Sequence, residues 1–170
     1  LASDARVAGM LSGKCGMITL HMGSDDRTLS LVEQALETTS IPIKIFHPTH
    51  VTRSRKLMED AFAFARKGGY IDMTCGSKGE SAPSLCVMRA KEQGVPLQNI
   101  TFSSDGMGSW STYDEAGNLL RIGYSAVDTV YQEIKRLVQE YKMPLEEALC
   151  FGTSNTARAL EIGRKKGHIA

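Results

Sequence analysis

The chain has 170 residues, of which 42% are hydrophobic and 23% charged, with 20 basic and 19 acidic side chains. This composition predicts one domain with an ordinary apolar core, and the balanced charge argues against nucleic acid or an anionic membrane as a partner. No stretch approaches the roughly 18 apolar residues of a membrane span, and the N-terminal residues do not resemble a secretory signal. The four cysteines lack C-x-x-C spacing, so we expect reduced thiols in a cytoplasmic protein.

Four short apolar runs predict β-strands, and an amphipathic segment that predicts a helix follows each of them. The strands are expected at residues 16–22, 43–50, 70–75 and 99–104. The helix after the second strand begins near Ser54 and ends at Gly68, and the helix after the third lies between Pro83 and Gly94.

The C-terminal third is predicted to be mainly helical. Residues 105–124 are expected to form a loop, and a longer helix follows from about Ser125. Two shorter helices are predicted at about 144–163, the second of them capped by Thr153 or Ser154.

Successive strand-then-helix units imply parallel strands that are joined by right-handed crossovers. The fold class is therefore α/β, and both a barrel and an open doubly wound sheet agree with the pattern. The sequence contains no G-x-G-x-x-G, G-x-x-x-x-G-K-[ST] or G-x-S-x-G motif. The nucleotide-binding open sheet and the α/β-hydrolase therefore lose their best sequence evidence.

Polar residues fall where three of the predicted strands end, at His21, His50 and Asp105. In a (β/α)₈ barrel the carboxyl ends of the strands form the active-site mouth, so these side chains would converge there. Two imidazoles and a carboxylate suit zinc or a similar divalent metal. A simpler interpretation stays open, because a histidine at a strand end is commonly just hydrogen-bonded, and residues 103–106 favour a turn.

A second histidine, His47, lies close to His50 in the same predicted strand. Side chains alternate along a strand, so we expect His50 to share a face with Phe46 and Pro48 while His47 points to the other face. The two histidines are therefore not expected to serve one metal together, and His47 is interpreted as structural or as a support for the ligands.

The segments TLHMGS, PTHVTRS, ARKGGYIDMT, TFSSDGMGSW and YDEAGNLLRIG resemble the isoaspartyl (β-aspartyl) dipeptidase family of the amidohydrolase superfamily. The resemblance implies that residues 1–170 are the C-terminal half of a (β/α)₈ TIM-like barrel, strands five to eight, with trailing helices at about 144–163. The chain also begins within a predicted helix and without Met, so we expect a fragment of a longer parent protein.

The resemblance also implies roles for individual residues. His21 and His50 would be ligands of one metal in a two-zinc centre, and Asp105 would be a ligand of the other metal and the acid/base group. Arg53 and Ser109 would bind the α-carboxylate of the substrate. The family's His-x-His pair and its carboxylated bridging lysine would lie upstream of this chain, which is therefore expected to be inactive alone.

The function implied for the parent is metal-dependent hydrolysis of β-aspartyl dipeptides, with a metal-bridging hydroxide as nucleophile and Asp105 as acid/base. The expected partners are a small dipeptide and further copies of the protein, because half a barrel exposes strand edges. One alternative is another amidohydrolase that acts on a cyclic or other amide, as a dihydroorotase does, with less need of Arg53 and Ser109. Another is a non-catalytic α/β module that takes up no metal.

Overall fold

The computed structural model describes residues 1–169, and in it helices and strands alternate as far as the fourth strand. The strands are β1 Ile18–His21, β2 Phe46–Thr49, β3 Ile71–Thr74, β4 Ile100–Ser103, β5 Ser109–Tyr113 and β6 Leu119–Tyr124. The helices are α1 Ala2–Ser12, α2 Ser30–Thr38, α3 Arg55–Arg66, α4 Pro83–Glu92, α5 Thr129–Gln139, α6 Leu145–Cys150 and α7 Ser154–Ala159. Within residues 1–169, no helix has the length and apolar character that crossing a membrane requires.

The first four strands form two parallel pairs, which confirms the predicted α/β class. Strand β1 pairs with β2, with Ile18 opposite Phe46, and β3 pairs with β4, with Ile71 opposite Ile100. Strands β2 and β3 lie side by side without a backbone ladder, and the main-chain bond between them runs from Val51 N to the Asp72 carbonyl at 3.4 Å. A helix separates each of these four strands from the next, as the crossover between parallel strands requires.

Side chains alternate along β3 and β4, so each strand has an apolar and a polar side. The apolar residues are fully buried or nearly so and join the core with the inner side of α3: Ile71, Met73, Ile100 and Phe102. The intervening residues point to the opposite side, called here the polar face: Asp72, Thr74, Thr101 and Ser103. The helices therefore cover one side of the strands, while polar groups meet on the other.

The segment at 105–124, predicted as a loop, instead contains the antiparallel hairpin β5–β6. Its turn is held by the Asp114 carboxylate, which accepts from the backbone N–H groups of Ala116 (3.0 Å) and Asn118 (2.7 Å). The Trp110 ring packs over Gly123, where a side chain would find no room. Most hairpin side chains are exposed on both faces, so the sequence lacks the apolar alternation that normally reveals a strand.

The sequence predicted that the helix after the hairpin begins near Ser125, but helix α5 begins at Thr129. The Ser125 carbonyl accepts from Met107 N and its N–H donates to the Gly108 carbonyl, both at 2.9 Å. These bonds tie Ser125 to the loop after β4 and keep it out of the helix. Thr153 occupies the N-cap position of α7 but makes no side-chain capping bond there.

The four cysteines are free thiols, as their spacing predicted. Burial raises the pKa of Cys75, and it raises the pKa of Cys86 to about 11. Both thiols therefore stay protonated at neutral pH, which makes them poor nucleophiles and metal ligands.

The N-terminus of α3 provides a direct test of the fold. The Ser54 hydroxyl accepts a hydrogen bond from Leu57 N at 3.2 Å. Because Ser54→Ala leaves this amide without its partner, we expect the free energy of unfolding to fall by about 1 kcal/mol. Urea unfolding followed by circular dichroism measures the change.

Ser30→Ala is the matched control, since Ser30 also lies at a helix start but is exposed and makes no side-chain hydrogen bond within residues 1–169. A loss of stability in Ser54→Ala no greater than that in Ser30→Ala would contradict the capping role.

Candidate functional site

Two of the predicted site residues, His21 and His50, lie against each other at the carboxyl ends of β1 and β2. His21 is the last residue of β1 and is opposite Thr49, so His50 follows on the neighbouring strand. The His21 Nδ1 and His50 Nε2 atoms are 3.0 Å apart, and the ring centroids are separated by 5.1 Å. His21 is exposed, whereas His50 is buried. The pair therefore has one side open to a ligand.

The expectation that His50 shares a face with Phe46 and Pro48 is wrong. Strand β2 ends at Thr49, and His50 adopts a left-handed conformation with φ of 62°, so the alternation of side chains stops there. His50 Nδ1 lies 2.6 Å from the Thr74 hydroxyl, which is on the polar face. The turn at the end of the strand thus directs His50 toward His21.

His47 makes a separate contact on the same polar face. Its Nε2 atom lies 3.1 Å from the Thr101 hydroxyl of β4. The structure thus gives His47 a hydrogen bond of its own, as expected for a structural histidine.

Sequence reasoning missed the buried carboxylate of Asp72, which is 4% exposed. One oxygen accepts from the hydroxyls of Thr49 (2.6 Å) and Ser103 (2.5 Å), and the other accepts from Thr101 (2.8 Å). The signal that could have revealed it is a polar residue at every second position of three successive strands: His47 and Thr49, Asp72 and Thr74, Thr101 and Ser103.

Burial favours the uncharged form of His47 and His50. Loss of water contact lowers the pKa of His50, and the Arg53 charge lowers it further, while Asp105 acts in the opposite direction. Burial also lowers the pKa of His47, against an opposing effect of Asp72. Neutral imidazole is the form that binds metals, so the environment of His50 suits a ligand.

Asp105 lies in a tight turn after β4, where its φ is 48°. The Asp105 carbonyl accepts from Gly108 N at 2.8 Å, and the carboxylate folds over the same glycine. A Cβ atom at position 108 would lie 2.7 Å from Asp105 Oδ1, so this turn requires glycine there. Asp105 is exposed, and within residues 1–169 no three His, Cys, Asp or Glu side chains are grouped to hold a metal. The structure joins the two histidines and leaves Asp105 outside the pair.

Arg53 and Ser109, the predicted carboxylate-binding residues, are both exposed. Arg53 N donates to the His50 carbonyl at 3.1 Å, in the turn that leads into α3. Ser109 begins β5, opposite Tyr124. Neither side chain makes a hydrogen bond within residues 1–169, which leaves their polar groups available to a ligand.

The chain is similar to known structures along almost its whole length, although no protein-family model matches it. It superposes on a β-aspartyl dipeptidase of Fervidobacterium islandicum AW-1 in complex with the β-Asp-Leu dipeptide, with a TM-score of 0.91 and 39% identity. The match covers 99% of this chain and 44% of that chain. Another structure of a β-aspartyl dipeptidase from this organism gives a TM-score of 0.84 and 37% identity, over 99% of this chain and 42% of that one.

An N-acetylglucosamine-6-phosphate deacetylase from Pasteurella multocida has a TM-score of 0.58 at 18% identity, over 98% of this chain and 46% of that chain, and shows likeness of fold alone. The chain thus spans less than half the length of each of these proteins. Its own sequence and fold together show that it is homologous to a part of the β-aspartyl dipeptidases of the amidohydrolase superfamily.

Proposed function

We propose that the protein containing this chain hydrolyses β-aspartyl dipeptides. The observation that carries the proposal is 39% identity, over 99% of the chain, to a dipeptidase that was solved with β-Asp-Leu. The pairing of His21 with His50, beside the exposed Arg53, supports the same activity.

Strands β1 to β4 are proposed to be successive strands of a (β/α)₈ barrel that the rest of the protein completes. They form two parallel pairs, follow one another in chain order and are each separated by a helix. Helices cover one side of the strands and polar residues line the other, as expected if the polar face points into a barrel mouth. The open strand edges would pair with the remaining strands or with a second copy of the protein.

The histidine pair fits a zinc ion. Two imidazole nitrogens on one tetrahedral zinc lie about 3.3 Å apart, since each Zn–N distance is about 2.0–2.1 Å. His21 Nδ1 and His50 Nε2 are 3.0 Å apart, so a shift of a few tenths of an ångström would admit the ion. Asp105 would hold a second metal, and the remaining ligands would come from outside this chain. Such metals supply Lewis-acid polarisation of the amide and lower the pKa of water.

The other residues have roles in binding and proton transfer. The Arg53 guanidinium would hold the substrate α-carboxylate through two parallel hydrogen bonds, and the Ser109 hydroxyl would add a third. A carboxylate oxygen of Asp105 would take a proton from the attacking water and pass it to the leaving amine nitrogen. Gly108 keeps the space that this carboxylate occupies.

Incubating the intact protein with β-Asp-Leu and, separately, with α-Asp-Leu tests the proposed activity. We expect release of leucine from the β-linked dipeptide and little or none from the α-linked one. The peptide bond and the free carboxylate of the aspartyl residue exchange places between the two dipeptides. Hydrolysis of a cyclic amide such as dihydroorotate, without cleavage of β-Asp-Leu, would contradict the proposal and favour another amidohydrolase activity.

Substrate binding is tested at Arg53. A lysine at this position keeps the charge but loses the planar pair of donors, so we expect Arg53→Lys to raise KM for β-Asp-Leu with little change in kcat. The cost in kcat/KM should correspond to about 1.5–3 kcal/mol, as for a hydrogen bond to a charged group. Arg55→Lys is the control, since Arg55 is exposed on α3 two positions away. Equal KM values for the two variants would exclude Arg53 from the binding site.

Proton transfer is tested at Asp105. Because asparagine keeps the size of the side chain but cannot accept the proton, Asp105→Asn should lower kcat by about 10²-fold to 10⁴-fold. The metal content must be measured as well, since loss of a ligand would also lower kcat. Glu115→Gln, in the exposed hairpin turn, controls for the lost charge. An Asp105→Asn variant that keeps its metals and turns over within about tenfold of wild type would show that another group carries the proton.

A further inference from the structure

The polar face contains a chain of hydrogen-bonding groups that runs from Asp72 to His50, and its direction is fixed at the Asp72 end. It begins at the Asp72 carboxylate, which accepts from three hydroxyls and, as a carboxylate, has no proton to donate to them. The Thr49 hydroxyl lies 2.6 Å from Asp72 Oδ2, so its single proton points to the carboxylate. The Thr49 oxygen is then free only to accept, and the Thr74 hydroxyl, 3.4 Å away, is the neighbour that can donate to it.

The Thr74 proton has two possible acceptors, the Thr49 oxygen and His50 Nδ1, and only the first gives the buried Thr49 oxygen a donor. If the Thr74 proton points to Thr49, the lone pairs of Thr74 Oγ1 face His50 Nδ1, which is 2.6 Å away. His50 must then carry its proton on Nδ1, because two lone pairs at this distance would repel each other. His50 Nε2 is consequently left unprotonated, and it is the atom that faces His21 Nδ1.

We propose that Asp72, Thr49 and Thr74, called here the hydroxyl relay, hold His50 in the Nδ1–H tautomer and direct its Nε2 lone pair to the space beside His21. The three relay residues are positioning residues and touch no reacting atom. This inference rests on the proposed function for its metal, but the tautomer itself is a property of the metal-free protein. Partners of this kind orient histidine ligands and make them more basic.

A second chain of hydrogen bonds begins at Asp72, and here too a hydroxyl that donates to the carboxylate can only accept from its next neighbour. The Thr101 hydroxyl donates to Asp72 Oδ1 at 2.8 Å, so its oxygen accepts from His47 Nε2 at 3.1 Å. His47 is therefore assigned the opposite tautomer, with the proton on Nε2. Asp72 thus sets the protonated nitrogen of both histidines, of His50 through the hydroxyl relay and of His47 through Thr101, and the two tautomers are opposite.

Nitrogen NMR of the metal-free intact protein, labelled with ¹⁵N in the histidine rings, tests the assignment. We expect His50 to show a protonated Nδ1 and an unprotonated Nε2, and His47 to show the reverse. The variants His50→Gln and His47→Gln identify the signals. A His50 ring that is protonated on Nε2 in the metal-free wild type would overturn the proposal.

The link at Thr74 is tested with a pair of variants. Thr74→Val keeps the shape of the side chain but removes the hydroxyl, so His50 should populate both tautomers and zinc affinity should fall by about 10-fold to 100-fold. Thr74→Ser restores the hydroxyl, so the His50 tautomer and the zinc affinity should both return to those of wild type. Zinc affinity is measured by competition with a chelator, and thermal unfolding shows that each variant is folded.

A folded Thr74→Val variant with one His50 tautomer and unchanged zinc affinity would overturn the relay. If wild type has the expected tautomers but binds no zinc, the relay is supported and the proposed metal centre is contradicted. The experiments therefore test the hydroxyl relay and the proposed metal centre separately.

Discussion

The site depends on the burial of one carboxylate. A carboxylate that is taken out of water costs several kcal/mol unless its oxygens are hydrogen-bonded. Asp72 meets this requirement with hydroxyls from both neighbouring strands, Thr49 on β2 and Thr101 and Ser103 on β4. Strands β2 and β3 share no backbone ladder, and the bond from Thr49 to Asp72 joins them through their side chains. The same bonds bring the ends of the two strands, and with them His50, into position.

The two sides of the strands have different roles: the helix side stabilises the fold, and the polar face contains the candidate site. On the helix side, Ile71 and Ile100 are fully buried and contribute to the core in the usual way, by removing apolar surface from water. On the polar face each side chain must find a specific partner, and within residues 1–169 the one buried side-chain polar atom without a hydrogen bond is Ser84 Oγ, on helix α4. A satisfied polar network is rigid, which suits residues that must hold a ligand in one orientation.

Much of the fold could be predicted because its elements follow local rules. The strands lie within the predicted apolar runs, Ser54 caps α3, and Pro83 opens α4, as capping and proline geometry require. The hairpin β5–β6 could not be predicted in this way, because it is stabilised by turn bonds at Asp114 and by pairing of exposed strands. Neither leaves an apolar period in the sequence.

The candidate site was only partly visible in the sequence for a similar reason. Residues at strand ends, such as His21 and His50, stand out because an apolar run is interrupted by a polar group. The side to which His50 turns depends on a single left-handed residue after β2, which alternation cannot anticipate. Asp72 was hidden because a carboxylate inside a short strand signals burial only when the hydroxyls on the neighbouring strands are known.

His21 Nδ1 and His50 Nε2 are proposed to form one half of a metal site. A crystal structure of the intact protein grown with zinc, with anomalous data collected at the zinc edge, tests it most directly. We expect a metal peak about 2.0–2.1 Å from both nitrogen atoms, with His50 Nδ1 still bonded to Thr74. A peak bound through His50 Nδ1, or no peak beside the histidine pair while other sites are filled, would contradict the account.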